Sequence, residues 1–202
     1  NDVDVYAHDL GFIAVVGANG AIEGWNVTIG GGMGMTHGEP DTYPRTADAM
    51  AFCRPEQAVD VAEKVVLVQR DFGDRSNRKH ARLKYTIETM GIDAFKAEVE
   101  RRAGLRFAPA RPFEFTTSGD RFGWTQGEDS RWHLTLRIPA GRIADTAEAQ
   151  RLTGLRAIAK VHRGTFRLTP NQNLLIAGVA AADRAAIDAL VAHHGLDLHA
   201  RA

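Results

Sequence analysis

The chain of 202 residues sets 25 Lys+Arg against 25 Asp+Glu, with 44% apolar side chains and one cysteine. A net charge of zero argues against broad, salt-driven nucleic-acid binding, and no run approaches the roughly 18 apolar residues of a membrane span. A single thiol, Cys53, excludes an internal disulfide framework and any zinc or iron-sulfur site made from this chain's own cysteines.

In chain order, "GFIAVVGANGAIEGWNVTIGGG" sets two apolar runs about Asn19-Gly20, a pair suited to the positive φ of a tight hairpin turn. This predicts strands near 11–16 and 21–30. A glycine-rich loop, "GGGMGMTHGEPDTYPRT", follows. Pro55 then opens a helix on which Ala58, Val61, Ala62, Val65 and Val66 recur at helical spacing, ending near Gly73. A second helix carries "SNRKHARLKY" and stops at Gly91, and a third, Asp93 to Ala103, has Phe95 and Val99 on one face with Gly104 as its stop.

The stretch 107–122, rich in proline and turn formers, reads as a linker between residues 1–106 and 123–202. Beyond it "RWHLTLRI" alternates as a half-buried strand with Trp132, Leu134, Leu136 and Ile138 on one side. Leu152, Leu155, Ile158 and Ala159 mark a helix, "TFRLT" and "NLLIAGV" two strands joined through "PNQN", and Ile187, Leu190 and Val191 a last helix ending at Gly195. The order strand, helix, strand, strand, helix is most of a ferredoxin-like unit, short of one strand that lies beyond the chain's end or comes from elsewhere. The fold class is α+β. The chain reads as soluble and cytoplasmic, and a first residue of Asn rather than Met suggests a piece of a longer chain.

Three constellations carry chemistry. The basic run Arg78, Lys79, His80, Arg82 and Lys84 is local in a neutral chain, so it points to a local anion. On a helix wound from Asn77, His80 and Lys84 flank the stripe Leu83, Ile87, Met90 on one side, and Arg78 and Arg82 on the other. The target is then wide, or the first residues lie in a loop that turns them inward; a solvated basic face is the alternative. Gly30, Gly31, Gly32 and Gly34 allow a backbone to approach a flat ligand, although the loop lacks the Lys-Ser/Thr of a phosphate-binding loop. Asn171, Gln172 and Asn173 put carboxamides between two strands, where they read a polar ligand edge or only build a turn. The eight histidines show no metal-binding spacing.

Taken together, "GGGMGMTHG", "TYPRTA", "QRDFGDRSNRKHARLKYT", "FKAEVERRAG", "GDRFGW", "WHLTL" and "TPNQNLLIAGV" resemble the sulfite and nitrite reductase family, most closely the hemoprotein subunits of assimilatory sulfite reductases. The resemblance runs over nearly the whole chain. It implies part of a siroheme and four-iron (4Fe-4S) reductase domain at 1–106, a ferredoxin-like half-domain at 123–202, and reduction of sulfite with electrons from a flavoprotein partner or ferredoxin. Siroheme is a wide macrocycle bearing many carboxylates, a target that suits the basic run.

Carried over by position, the siroheme contacts fall on Arg82 and Lys84, then Lys79 and His80, with Gln172 and Asn173 as polar contacts, Gly30 to Gly34 near the ring and Arg45 on the same wall. The family's cluster cysteines come in two pairs that nothing here matches, and its sulfite-gripping cations belong upstream. The resemblance therefore implies a fragment that supplies cofactor walls, with the cluster ligands and catalytic groups outside it. A siroheme nitrite reductase is the near alternative. A ferredoxin-like RNA-binding or small-ligand module is the distant one, opposed by Trp132 alternating with core residues.

Overall fold

A computed structural model describes residues 4–198 as two separately packed units, the first ending at Phe115 and the second starting at Thr116. In the first, Gly20 takes φ 79° and Asn19 Oδ1 accepts from Ala21 N at 3.1 Å, closing a hairpin between β1 (Leu10–Val16) and β2 (Ile22–Ile29). A third strand, β3 (Asp48–Cys53), lies antiparallel on the other side of β2. The sequence did not announce β3, because its last four residues, Met50 to Cys53, are all buried and show no polar alternation.

Three helices cover this sheet. In α1 (Ala58–Phe72), Val61, Val65 and Val68 enter the core, whereas Val66, expected on that stripe, is exposed. The geometry explains it: at about 100° per residue, Val66 stands about 140° from Val61. The helix α2 spans only Leu83–Met90, and the basic run before it is a 3-10 turn, Arg78–His80, in which Asn77 Oδ1 accepts from Lys79 N at 3.0 Å. Continuous winding from Asn77 would stack cations on the positive end of the helix, and Asn77 favours the cap instead. Gly91, at φ 80°, separates α2 from α3 (Ile92–Ala103), which ends at left-handed Gly104. Val27, Ile29, Ala51, Cys53, Val65, Ile87 and Phe95 are central to the core.

The second unit is a four-stranded antiparallel sheet with two helices. Its strands are β4 (Gly123–Gln126), β5 (Trp132–Leu136), β6 (Thr165–Leu168) and β7 (Leu174–Val179), in the order β4-β5-β7-β6. The helices are α4 (Arg151–Val161) and α5 (Arg184–His193), which send Ile158, Ile187 and Val191 into a core with Leu134, Leu136 and Ile176. The strand missing from the ferredoxin-like pattern is β4. It pairs antiparallel with β5, where the last strand of such a unit would lie, but comes from before β5 rather than after α5. Trp132 packs against the core, with the Arg184 guanidinium 3.8 Å from its ring centroid. No described helix is long and apolar enough to cross a membrane.

Candidate functional site

The glycine loop between β2 and β3 is bolted from beneath by α2. Lys84, with no exposed surface, donates from Nζ to Gly34 O at 2.8 Å, to Gly32 O at 3.1 Å and to Tyr43 O. Three donors thus meet three carbonyls. The same ammonium lies 5.0 Å from the Tyr85 ring centroid and 5.7 Å from that of Tyr43. Gly32 and Arg45 pair through their backbones at 2.7 and 3.0 Å, while the Arg45 side chain reaches Gly30 O at 2.9 Å and Asp48 and Glu88 at 2.5 Å each. Lys84 and Arg45 therefore spend their hydrogen-bonding capacity on the loop's own framework. The loop tip is left outward, with Met33 and Met35 exposed.

Arg82 crosses the same loop from the start of α2. It donates to Asp9 Oδ2 at 2.7 Å and Oδ1 at 3.3 Å, and the Asp9 hydrogen bond holds the guanidinium's pKa above its ordinary value. The loop must be bare for this: a Cβ on Gly32 would come within 2.7 Å of the guanidinium carbon, and one on Gly31 within 2.3 Å of Tyr6 O. Lys79 pairs with Glu39 at 2.5 Å, and the His80 ring lies 4.6 Å from that of Tyr85. Arg75 and Arg78, in the same segment, are exposed and make no ion pair among the described residues.

These cations sort by what they would give up to a ligand. The Lys79 and Arg82 pairs have side chains 42–50% exposed, a setting in which an ion pair contributes about 0–1 kcal/mol, so a ligand carboxylate exchanges for the protein's at little cost. Lys84 has no such freedom, since its ammonium is fully buried and leaving its carbonyl partners without their donor costs up to about 1–3 kcal/mol each. The exposed cations of this segment, Arg75, Arg78, Lys79 and Arg82, are a donor set that fits a broad polyanion. A neighbouring cleft of about 540 Å³ does not: Asp41, Asp74 and Glu88 line it and would repel carboxylates.

In the second unit, "TPNQN" forms a tight turn between β6 and β7. Asn173 is 7% exposed and both ends of its amide are used, Oδ1 accepting from Ile138 N at 2.8 Å and Nδ2 donating to Asp120 at 2.6 Å. Asn171 and Gln172 are exposed, and Gln172 sits at φ 64°, a left-handed conformation uncommon outside glycine. Sequence reasoning passed over Asp120, which it assigned to the linker; its only signal was the turn-forming "SGD".

Cys53 is 1% exposed in β3, and burial pushes its thiol's pKa up, with Glu56 adding to the effect. A lone packed thiol does not fit a four-iron cluster, and no group of three or more His, Cys, Asp or Glu among the described residues is placed to hold a metal.

Comparison with known proteins places two family models on the chain. Residues 1–107 match the nitrite and sulphite reductase 4Fe-4S domain, and residues 125–194 the nitrite/sulfite reductase ferredoxin-like half domain. A sulfite reductase [NADPH] hemoprotein beta-component of Methylobacterium sp. (strain 4-46) is 60% identical over all of this chain and 34% of its own length. The protein so named in Myxococcus xanthus is 60% identical over 98% of this chain and 35% of its own. The structure of the Mycobacterium tuberculosis NirA protein superposes with a TM-score of 0.77 at 25% identity, covering 96% of this chain and 34% of that one. The chain spans about a third of the length of these relatives.

Proposed function

This chain belongs to the nitrite and sulphite reductase family, and we propose that it is an internal section of an assimilatory sulfite reductase hemoprotein, catalysing the six-electron reduction of sulfite to sulfide. The observation that carries this reading is 60% identity along the full chain to proteins named sulfite reductase hemoprotein beta-component. The cofactors are siroheme and a 4Fe-4S cluster whose ligands lie outside this chain. The electron donor is a flavoprotein subunit, favoured over ferredoxin by the NADPH in the relatives' names, and the compartment is the cytoplasm.

When bound, siroheme supplies an iron that takes up electrons in turn and holds the sulfur anion. This chain's part is to bind and orient. Arg82 and Lys79, assisted by Arg75 and Arg78, exchange Asp9 and Glu39 for carboxylates of the macrocycle. His80, its ring packed at a tilt against Tyr85, flanks them. Lys84 and Arg45 act one layer back by holding Gly30, Gly32 and Gly34 in the shape that lets a flat ring approach. Gln172 contributes its exposed amide and Asn173 braces the turn beneath it. The family description names nitrite as well, which makes siroheme nitrite reduction the second reading.

The full-length protein tests this directly. It should purify with siroheme absorbance and, given a reduced donor, release sulfide from sulfite faster than ammonia from nitrite. The opposite preference selects the second reading, and a folded full-length protein without siroheme overturns both.

A further inference from the structure

The loop between Ile138 and Arg142 faces the "TPNQN" turn, and both are strained. Ala140 takes φ 52° and Gln172 φ 64°, and a Cβ on Gly141 would fall 2.9 Å from the Cβ of Gln172. A left-handed conformation costs a residue with a side chain roughly 1–2 kcal/mol, and it persists only where the surroundings over-determine it. The element that over-determines the turn is a carboxylate just before β4. Asp120 Oδ2 accepts from Thr169 Oγ1 at 2.6 Å and from Asn173 Nδ2 at 2.6 Å, while Oδ1 accepts from Asn171 Nδ2 at 3.3 Å. Asn173 carries the tie onward, its Oδ1 accepting from Ile138 N at 2.8 Å. One carboxylate thus grips three side chains of the turn and, through Asn173, locks it to the opposing loop. Gln172 alone of residues 171–173 keeps its side chain outside this network and exposed.

We propose that Asp120 is a positioning residue for the siroheme wall: it holds the 169–173 turn so that Gln172 is presented to the cofactor in one fixed, left-handed conformation. This rests on the siroheme reading above. Charge-assisted hydrogen bonds are roughly twice as strong as neutral ones, which is why a carboxylate suits the hub. Asp120→Ala removes the grip on all three side chains. Asp120→Asn retains one acceptor oxygen for Thr169 and Asn173 and, of the three contacts to the turn, gives up the longest, to Asn171, so it should restore most of the function.

The test is a double-mutant cycle in the full-length protein, read as the rate at which siroheme leaves the folded protein for a scavenger and as the position of its absorption bands. Asp120→Ala and Gln172→Gly should each speed loss by about tenfold and shift the bands alike, and the double variant should be no faster than about tenfold, because both changes remove the same presented amide. Asp120→Asn should stay within about threefold of wild type. Asp145→Ala is the control for plain destabilisation: Asp145 accepts from Thr153 N at 3.0 Å and Thr153 Oγ1 at 2.7 Å at the start of α4, and its loss should lower Tm without moving bands or release. If wild type holds siroheme but the two effects multiply to about a hundredfold, or Asp120→Ala lowers Tm with release and bands unchanged, the positioning role is wrong and the siroheme reading stands. If wild type holds none, both fall.

Discussion

Replacing Lys84 by methionine isolates what a buried cation does for the glycine loop. Methionine roughly keeps the volume and fills the sheath between Tyr43 and Tyr85, so the change is mainly the loss of three N–H donors. Gly32 O keeps a second donor, Arg45 N at 3.0 Å, which leaves Gly34 O and Tyr43 O without the donor that held them. At about 1–3 kcal/mol for each orphaned acceptor, less some relief from water entering beside the exposed loop tip, the expected loss is about 3 kcal/mol. That is a large share of the roughly 5–15 kcal/mol that holds a domain together. It corresponds to a fall in Tm of roughly 10–20 °C for a unit of this size. Thermal unfolding of the 202-residue chain measures the magnitude, and amide hydrogen exchange locates it, with Gly32 N and Arg45 N losing protection while β1 and α1 keep theirs. A chain that melts within about 2 °C of wild type with the loop still protected refutes the bolt and returns Lys84 to the set of side chains free to meet a ligand.

Gly32→Ala should displace the Arg82 guanidinium, the flexible end of a side chain that a Cβ would approach within 2.7 Å, so stability falls by less than about 1 kcal/mol while siroheme content of the full-length protein drops clearly. Unchanged cofactor content would show that Arg82 does not need its place over the loop. Asn173→Leu should cost about 2–4 kcal/mol by denaturant unfolding, because Ile138 N and Asp120 lose a buried partner; a loss under about 0.5 kcal/mol would show the amide to be dispensable for the turn. On α3, hydrogen bonds from Arg101 and then Arg102 lower Glu98 from 4.5 to about 2, and Asp71 is held well below its ordinary value by Arg70 and then Arg102. A depressed carboxyl pKa stabilises the folded state above the unfolded value and is lost as pH falls through the folded one, so stability should decline from about pH 4.5 to pH 2. Arg102→Gln should flatten that decline, and melting curves of the two proteins superposing in slope across this window would contradict the assignment.

The sequence determined whatever depends on neighbours along the chain. Asn19-Gly20 needs only the two flanking apolar runs to make a hairpin, Pro55 and Gly104 mark helix limits by their own backbone chemistry, and motifs in a fixed order are enough to identify a family. Even there, periodicity failed where burial was complete, since Met50 to Cys53 gave no alternation, and the four-residue β4 at the start of the second unit was too short to show a period. What each of these polar side chains holds was decided, within each unit, by contacts between residues far apart in the chain. Lys84 belongs to a basic run by sequence, and only the fold brings Tyr43 O, 41 residues away, to its ammonium and removes it from the exposed cations. Asp120 looks like one turn-former among several until the sheet sets Asn173, 53 residues on, at 2.6 Å from its carboxylate. A side chain's type states which bonds it can make, but which of them it makes depends on the polar groups the tertiary structure leaves buried beside it, because those are the ones that cannot turn to water.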